Sequence, residues 1–228
     1  MSKRRKWILW LFVALLFLGL LSAFAPDLDF PATPNRIAVV RVEGLIDEVD
    51  EVVKDLAKYR DEAGVKAIVL RIESPGGGVG PSQELFREVR RTIETKPVVA
   101  SLGGMAASGG YYIAAASNRI VANPGTVTGS IGVIVYFPNL QGLFEKIGYH
   151  MVSIKSGQFK DVGNPSREMS PEERELLQGT IDEVHRQFVR DVAVGRNLPE
   201  QRVQEIADGR LLTGERAQQL GLIDELGN

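Results

Sequence analysis

Continuous apolar runs and segments with helically spaced apolar residues follow one another along the chain, and this succession marks the predicted elements. Short β-branched runs at residues 37–42 and 65–72 predict buried strands. Apolar residues recur every three or four positions over 48–63 and 82–95, which predicts two amphipathic helices. A third strand is predicted at 98–102. Strands that alternate with helices indicate an α/β domain with a mainly parallel sheet.

Beyond the third strand the predicted elements are shorter. The small residues at 106–116 predict a helix that would pack closely against the sheet, and 120–122, 131–136 and 151–154 are further strand candidates. Ser170-Pro-Glu-Glu173 then has the pattern of a capping box at the start of a long helix that closes near Gly195. Shorter helices are predicted at 199–207 and 215–220, the second followed by Gly221 as its C′ residue.

The first 35 residues have a different composition from the rest. Four basic residues at 3–6 precede an uncharged apolar run at 7–25, which is long enough to span a bilayer. The basic cluster predicts a cytoplasmic N-terminus and an extracytoplasmic body. Ala23-Phe-Ala25 also fits a signal-peptide cleavage site, but the length of the run and the proline after it favour an uncleaved anchor. A proline-rich spacer at 26–35 would link this anchor to a folded domain at 36–228.

Composition excludes several classes of function. The 228 residues include 27 basic and 29 acidic side chains, and the body without the basic N-terminus is clearly acidic. Such a charge balance gives no electrostatic reason to bind nucleic acid. Cysteine is absent, so a disulfide framework and a cysteine-based metal site are both excluded.

Two glycine-rich turns each follow a predicted strand, at residues 74–78 and 103–110. Glycine lets backbone amides point at a ligand oxygen, and a helix N-terminus adds the positive end of its dipole. Two such turns side by side could form an oxyanion hole; the alternative is a pair of ordinary tight turns. Neither turn matches a nucleotide-binding fingerprint.

Ser108 follows the second turn and is a candidate nucleophile, although a serine among Ala and Gly can also be purely structural. A nucleophilic serine needs a base. Neither His150 nor His185 has a sequence setting typical of a catalytic base, because His150 follows Gly-Tyr and His185 lies beside an apolar helical position. The remaining candidate base is Lys160, although this lysine can also be an ordinary solvated surface charge. A lysine that acts as a base must be buried enough to be neutral at working pH.

The order of five motifs decides between these interpretations. They are Ser74-Pro-Gly-Gly-Gly78, Gly104-Met-Ala-Ala-Ser-Gly-Gly-Tyr-Tyr112, Thr128-Gly-Ser-Ile-Gly-Val133, Lys155-Ser-Gly-Gln-Phe-Lys-Asp161, and Gly209-Arg-Leu-Leu-Thr-Gly214 through Gly221-Leu-Ile-Asp224. In this order they resemble the signal peptide peptidase A family, from about Arg36 to the end of the chain. The resemblance implies a Clp protease and crotonase-like fold of repeated ββα turns. It also implies a Ser/Lys protease that degrades signal peptides after their release.

The family's functional residues map onto matching positions of this chain. The resemblance implies that Ser108 is the nucleophile, that Lys160 is the general base and that Ser130 orients the lysine. The oxyanion donors would be the amides of Gly109 and Gly77, the latter favoured over its predecessor. No metal or cofactor is required.

One repeat unit is present where longer members of the family have two. The resemblance therefore implies a homo-oligomer in which Ser108 and Lys160 come from different copies. Two other functions stay open at this point: a crotonase-type enzyme acting on an acyl thioester, and a membrane-tethered scaffold without activity. A Clp-like catalytic triad is disfavoured, because Val133 stands where its histidine would be expected.

Overall fold

The computed structural model describes residues 35–228, together with four helical residues at 7, 10, 13 and 16. The chain divides into the units Met1–Pro34 and Asn35–Asn228. The predicted anchor at 7–25, apart from those four residues, and nearly all of the spacer lie outside the described residues. Within the described part, no helix combines the length and the apolar character needed to cross a bilayer.

The second unit alternates strands and helices from its first residues. Its strands are β1 (Arg36–Ile46), β2 (Val65–Gly77), β3 (Val98–Ala107), β4 (Arg119–Ala122), β5 (Val127–Gly129), β6 (Leu211–Thr213) and β7 (Glu225–Leu226). Its helices are α1 (Asp50–Asp61), α2 (Val79–Ile93), α3 (Gly109–Ala115), α4 (Gln141–Lys146), α5 (Pro171–Arg196), α6 (Glu200–Gln204) and α7 (Gly214–Gln219).

The strands form one sheet in the order β1-β2-β3-β4-β7, and every pair along this path is parallel. β5 adds in parallel to the end of β3, and β6 pairs antiparallel with β5. The predicted α/β domain with a mainly parallel sheet is therefore confirmed. The carboxyl ends of β2 and β3 meet at one edge, where ligands bind in open α/β sheets.

The core lies between the sheet and its helices. All seven residues of α3 are buried, and Leu70 and Ile72 of β2 are fully covered. The small side chains of α3 allow close packing on β2: a Cβ added to Gly110 would lie 3.1 Å from the carbonyl oxygen of Ser74. The composition of this helix thus places the residue before it, Ser108, directly beside the end of β2.

β2 and β3 are longer than the sequence predicts. They continue through the glycine-rich turns to Gly77 and Ala107, so the helix predicted from residue 106 begins only at Gly109. The extension depends on long-range pairing, since Gly77 is paired with Ile46 of β1 and Ala107 with Gly129 of β5. Local propensity contains no signal for such pairing.

The strands predicted at 131–136 and 151–154 are wrong: neither segment has a strand partner within the described chain. They belong to an excursion between β5 and α5 that also contains α4, which the apolar pattern did not predict. The base of the excursion is closed by a hydrogen bond from the Leu140 amide to the Pro165 carbonyl, 2.8 Å long. A β-branched run indicates an extended segment but does not provide the strand beside it.

The capping box at the start of α5 is confirmed. The Glu173 amide donates to Ser170 Oγ at 3.2 Å, and the Ser170 amide donates to a Glu173 carboxylate oxygen at 2.9 Å. The helix ends at Arg196, one residue after the predicted position, and Asn197 takes a left-handed conformation. Gly221 follows α7 with φ +77°, as expected for a C′ glycine.

Candidate active site

Ser108 lies in the turn from β3 to α3 with a strained backbone. Its φ is +52° and its ψ is −119°, a region that residues with a Cβ rarely occupy. Its amide donates to the Gly129 carbonyl at 2.9 Å, and its carbonyl accepts from the Tyr112 amide at 2.8 Å. These bonds hold the turn, which is the type of strand-to-helix turn that exposes a nucleophilic serine in α/β-hydrolases. Strain of this kind costs about 1–3 kcal/mol and concentrates at functional sites.

The strain predicts a difference in stability between two inactive variants of Ser108. Ser108→Gly is expected to be about 1 kcal/mol more stable than Ser108→Ala, because glycine removes the strain while its unfolded-state entropy offsets part of the gain. Both variants lack the hydroxyl and should be inactive. Urea unfolding of the two variants measures the difference. Equal stability, or a more stable alanine variant, would show that the turn stores no strain.

The two glycine-rich turns meet beside Ser108. A Cβ added to Gly76 would lie 2.8 Å from the Gly109 nitrogen, and one added to Gly109 would lie 3.3 Å from the Gly77 nitrogen. The Gly76 amide donates to Ser74 Oγ at 3.0 Å, which leaves Gly77 as the better donor in the first turn. The Gly109 amide is the first of α3 and has no intrahelical acceptor. The geometry therefore places two backbone amides close together next to a serine, as an oxyanion hole requires.

An apolar pocket of about 100 Å³ opens between these amides and α5. Besides Ser108, Gly77 and Gly109, its wall includes the side chains of Val79, Tyr112, Val133, Ile134, Val184 and Phe188. The Tyr112 ring packs between Phe86 and Phe188, with centroid distances of 4.9 and 4.8 Å. Burial and a hydrogen bond to Asp191 raise the pKa of Tyr112, so its hydroxyl stays neutral. The pocket is thus suited to an uncharged, apolar side chain.

A larger and more polar cavity of about 490 Å³ adjoins this pocket and shares Ser108 and residues 132–134 with it. It brings Ser108 together with Ser130, whose backbone is also strained, at φ +52°. Asp182 and His185 of α5 also line this cavity, and His185 Nε2 is buried without a hydrogen-bond partner. Among residues 35–228, no group of three or more His, Asp or Glu side chains is placed to hold a metal ion.

The position of His185 at this cavity was not predicted from the sequence. The available signal was the helical spacing of Gln178, Ile181 and His185, which puts them on one face of α5. The sequence does not show that the distant segment 207–209 lines the same cavity as this face of α5. His150 is exposed and lines neither Ser108 cavity.

Lys160 is the predicted site residue that the structure does not bring to Ser108. It is exposed, in a turn where its amide donates to the Gly157 carbonyl at 3.2 Å. It lines neither of the two cavities that contain Ser108. The described chain thus assembles Ser108, Ser130, Gly77 and Gly109 at one place and leaves Lys160 outside it.

Matches to protein-family models show which family the chain belongs to. A model of peptidase family S49 matches residues 90–228, and a Clp protease model matches residues 35–125. The chain belongs to peptidase family S49. A Synechocystis protein named as a protease is 46% identical over 197 residues, which are 86% of this chain and 71% of that protein. The family resemblance and the serine protease class predicted from the motifs are confirmed.

Two further likenesses extend this result. An Enterococcus faecium protein named as signal peptide peptidase SppA is 34% identical over 226 residues, 93% of this chain and 66% of that protein. The solved structure of a mutant 1510-N membrane-bound stomatin-specific protease superposes with a TM-score of 0.58 at 19% identity, over 85% of this chain and 80% of that one. At this identity the likeness concerns the fold alone, and it agrees with the Clp protease-like fold.

Proposed function

We propose that this S49 protease is a membrane-anchored endopeptidase that cleaves short apolar peptides, including released signal peptides, with a Ser108–Lys160 dyad. The observation that carries the proposal is the position of Ser108, at a strained turn beside two glycine-rich turns and an apolar pocket. The signal-peptide substrate rests on the motif resemblance and on the name of the Enterococcus relative.

The proposed reaction follows from this geometry. A neutral Lys160 amine takes the proton of Ser108 Oγ, which attacks the carbonyl carbon of the scissile peptide bond. The Gly77 and Gly109 amides stabilise the oxyanion that forms. Lys160 then gives the proton to the leaving amine, and water hydrolyses the acyl-enzyme by the same steps. Ser130, at the same cavity as Ser108, is suited to hold the lysine amine by a hydrogen bond.

The lysine of this dyad would come from a second copy of the chain. Lys160 is exposed and lines neither Ser108 cavity, and the excursion that carries it has an unusually apolar surface. Its exposed apolar side chains are Ile134, Val135, Tyr136, Phe137, Leu140, Leu143, Ile147, Tyr149, Met151, Val152, Ile154 and Phe159. An exposed apolar surface of this extent is typical of a protein–protein interface. Burial in such an interface would also favour the neutral amine that the reaction needs.

The apolar pocket predicts cleavage after aliphatic residues. A cavity of about 150 Å³ binds benzene, so the pocket of about 100 Å³ fits an aliphatic side chain better than an aromatic one. Fluorogenic peptides that differ only in the residue before the scissile bond should give a higher kcat/KM for Leu or Ala than for Phe. Ser108→Ala should cleave none of them, which assigns the activity to this site.

Filling the pocket tests whether it is the specificity pocket. Val184→Phe should lower kcat/KM for the Leu peptide about 10–100-fold and lower that for the Ala peptide much less. Val194→Phe is the matched control, because Val194 lies on the same helix, is exposed and lines neither cavity. If Val184→Phe lowers kcat/KM equally for both peptides, the side chain before the scissile bond binds elsewhere.

The location of the enzyme is also a proposal. The basic cluster at 3–6 before the apolar run at 7–25 supports a single-pass protein of the cell membrane with its catalytic domain outside the cytoplasm. A reporter enzyme that is active only outside the cytoplasm, fused after Asn35, should be active in cells. Normal expression of an inactive fusion would reverse the orientation.

A further inference from the structure

The turn that carries Lys160 is held by a chain of ion pairs. The carboxylate of Asp161, the next residue, accepts a hydrogen bond from the Lys155 ammonium, and Lys155 also donates to the Gln158 carbonyl at 2.9 Å. Asp161 further pairs with the Arg167 guanidinium at 3.2 Å. The segment 155–161 is therefore closed on itself and connected to Arg167.

Arg167 connects this turn to the start of α5. Its guanidinium makes two parallel hydrogen bonds to the Glu173 carboxylate, at 2.8 and 2.5 Å, and a longer one to the Asp161 carbonyl at 3.3 Å. Glu173 is buried and is also the carboxylate of the α5 capping box, where it accepts from the Ser170 amide. A two-bond guanidinium–carboxylate contact fixes orientation as well as distance. The turn is thus attached to the capped first turn of α5.

The carboxyl groups of Asp161 and Glu173 stay charged at any pH used for an assay. Hydrogen bonds from Lys155 first, and then from Arg167, lower the pKa of Asp161 to about 2. Arg167, together with the Ser170 amide, lowers the pKa of Glu173 to about 2. Because both carboxyl groups have depressed pKa values in the folded protein, their pairing is present above the ordinary carboxyl pKa. It is lost only as pH falls towards 2.

We propose that Arg167 and Glu173 are positioning residues that hold the Lys160 turn in the conformation needed to reach Ser108. The inference rests on the proposed function, in which Lys160 is the base. Neither residue lines a Ser108 cavity, so both act through the turn and not through the substrate. A base that must enter a neighbouring copy's site cannot be aligned by that site before assembly, and its own chain has to order it. Losing about 1 Å of alignment can cost about 100-fold in rate.

The test measures the rate at which a fluorophosphonate labels Ser108 in the assembled full-length protein. Arg167→Met should lower the second-order rate constant about 10–100-fold, and peptide KM should stay within about twofold. Arg167→Lys keeps the charge but not the two-bond contact, so it should be intermediate. Arg202→Met is the matched control, since Arg202 makes an exposed pair with Glu205, three residues further along the chain, and it should label like the wild type.

The double variant with Lys160→Ala separates positioning from a purely structural role. If Arg167 acts through Lys160, the double variant should label at the same rate as Lys160→Ala alone. A further loss equal to that of Arg167→Met in the wild-type background would overturn the proposal, as would wild-type labelling by Arg167→Met. Wild-type labelling by Lys160→Ala would instead refute the proposed dyad.

A second variant tests the proposal even if Arg167→Met fails to fold or assemble. Glu173→Gln keeps an acceptor for the Ser170 amide and therefore the helix cap, but it loses the charged partner of Arg167. It should also slow labelling, and again not in the Lys160→Ala background. A fully assembled Glu173→Gln protein with the wild-type rate would overturn the positioning role of this residue pair.

Discussion

Replacing Lys160 by alanine is expected to lower kcat/KM for peptide cleavage by about 10²–10⁴-fold, the range usually contributed by a general base. The loss should fall mainly on kcat, because Lys160 lines neither cavity in which the substrate would bind. The folded domain should be unaffected, since the side chain is exposed. Peptide kinetics measure the loss in kcat/KM and its division between kcat and KM. Thermal unfolding and sizing of the same preparation show whether the fold is unaffected.

The two histidines provide the decisive control for this experiment. His185 lines the cavity that contains Ser108 and has a buried, unpaired Nε2 atom, so it is the alternative base within the chain. His150 is exposed and lines neither cavity. Replacing both by glutamine should leave most of the activity. A folded double-histidine variant without activity, beside an active Lys160→Ala protein, would assign the base to a histidine.

The parts of the fold that were predictable are those set by local pattern. β-branched runs located β1 and β2, helical spacing of apolar residues located α1, α2 and α5, and the capping box fixed the start of α5 to the residue. The extension of β2 and β3 through glycine turns was not predictable, because it depends on pairing with Ile46 and Gly129. The segments 131–136 and 151–154 have strand-like composition but no strand beside them within the described chain.

The site divides in a similar way. Glycine turns, a serine at a helix start and their order along the chain indicated the residues that meet around Ser108. Their convergence needed the structure, which brings Gly76 against Gly109 and Ser130 into the Ser108 cavity. Two features could not be predicted from the sequence. One is that His185 lines the Ser108 cavity, and the other is the set of ion pairs that Arg167 makes with Asp161 and Glu173. Both depend on side chains that are distant along the chain or that take one of many rotamers.

The central claim is that a working site combines Ser108 of one copy with Lys160 of another. Ser108→Ala protein retains Lys160, and Lys160→Ala protein retains Ser108, so each alone should be inactive. In oligomers formed from equal amounts of both, random assembly across a head-to-tail interface would give about one quarter of the sites an intact pair. Mixed oligomers should therefore recover about a quarter of the wild-type activity.

This recovery is best measured on oligomers purified through two different tags, one on each variant, so that every particle contains both chains. The account predicts that these particles cleave the Leu peptide at about a quarter to about a half of the wild-type rate, with the higher value for a dimer, because the purification removes particles that contain one variant only. Fluorophosphonate should label only the Lys160→Ala chains, which still carry Ser108. Doubly purified oligomers that contain both variants and cleave nothing would contradict it and place the base within the same chain as Ser108.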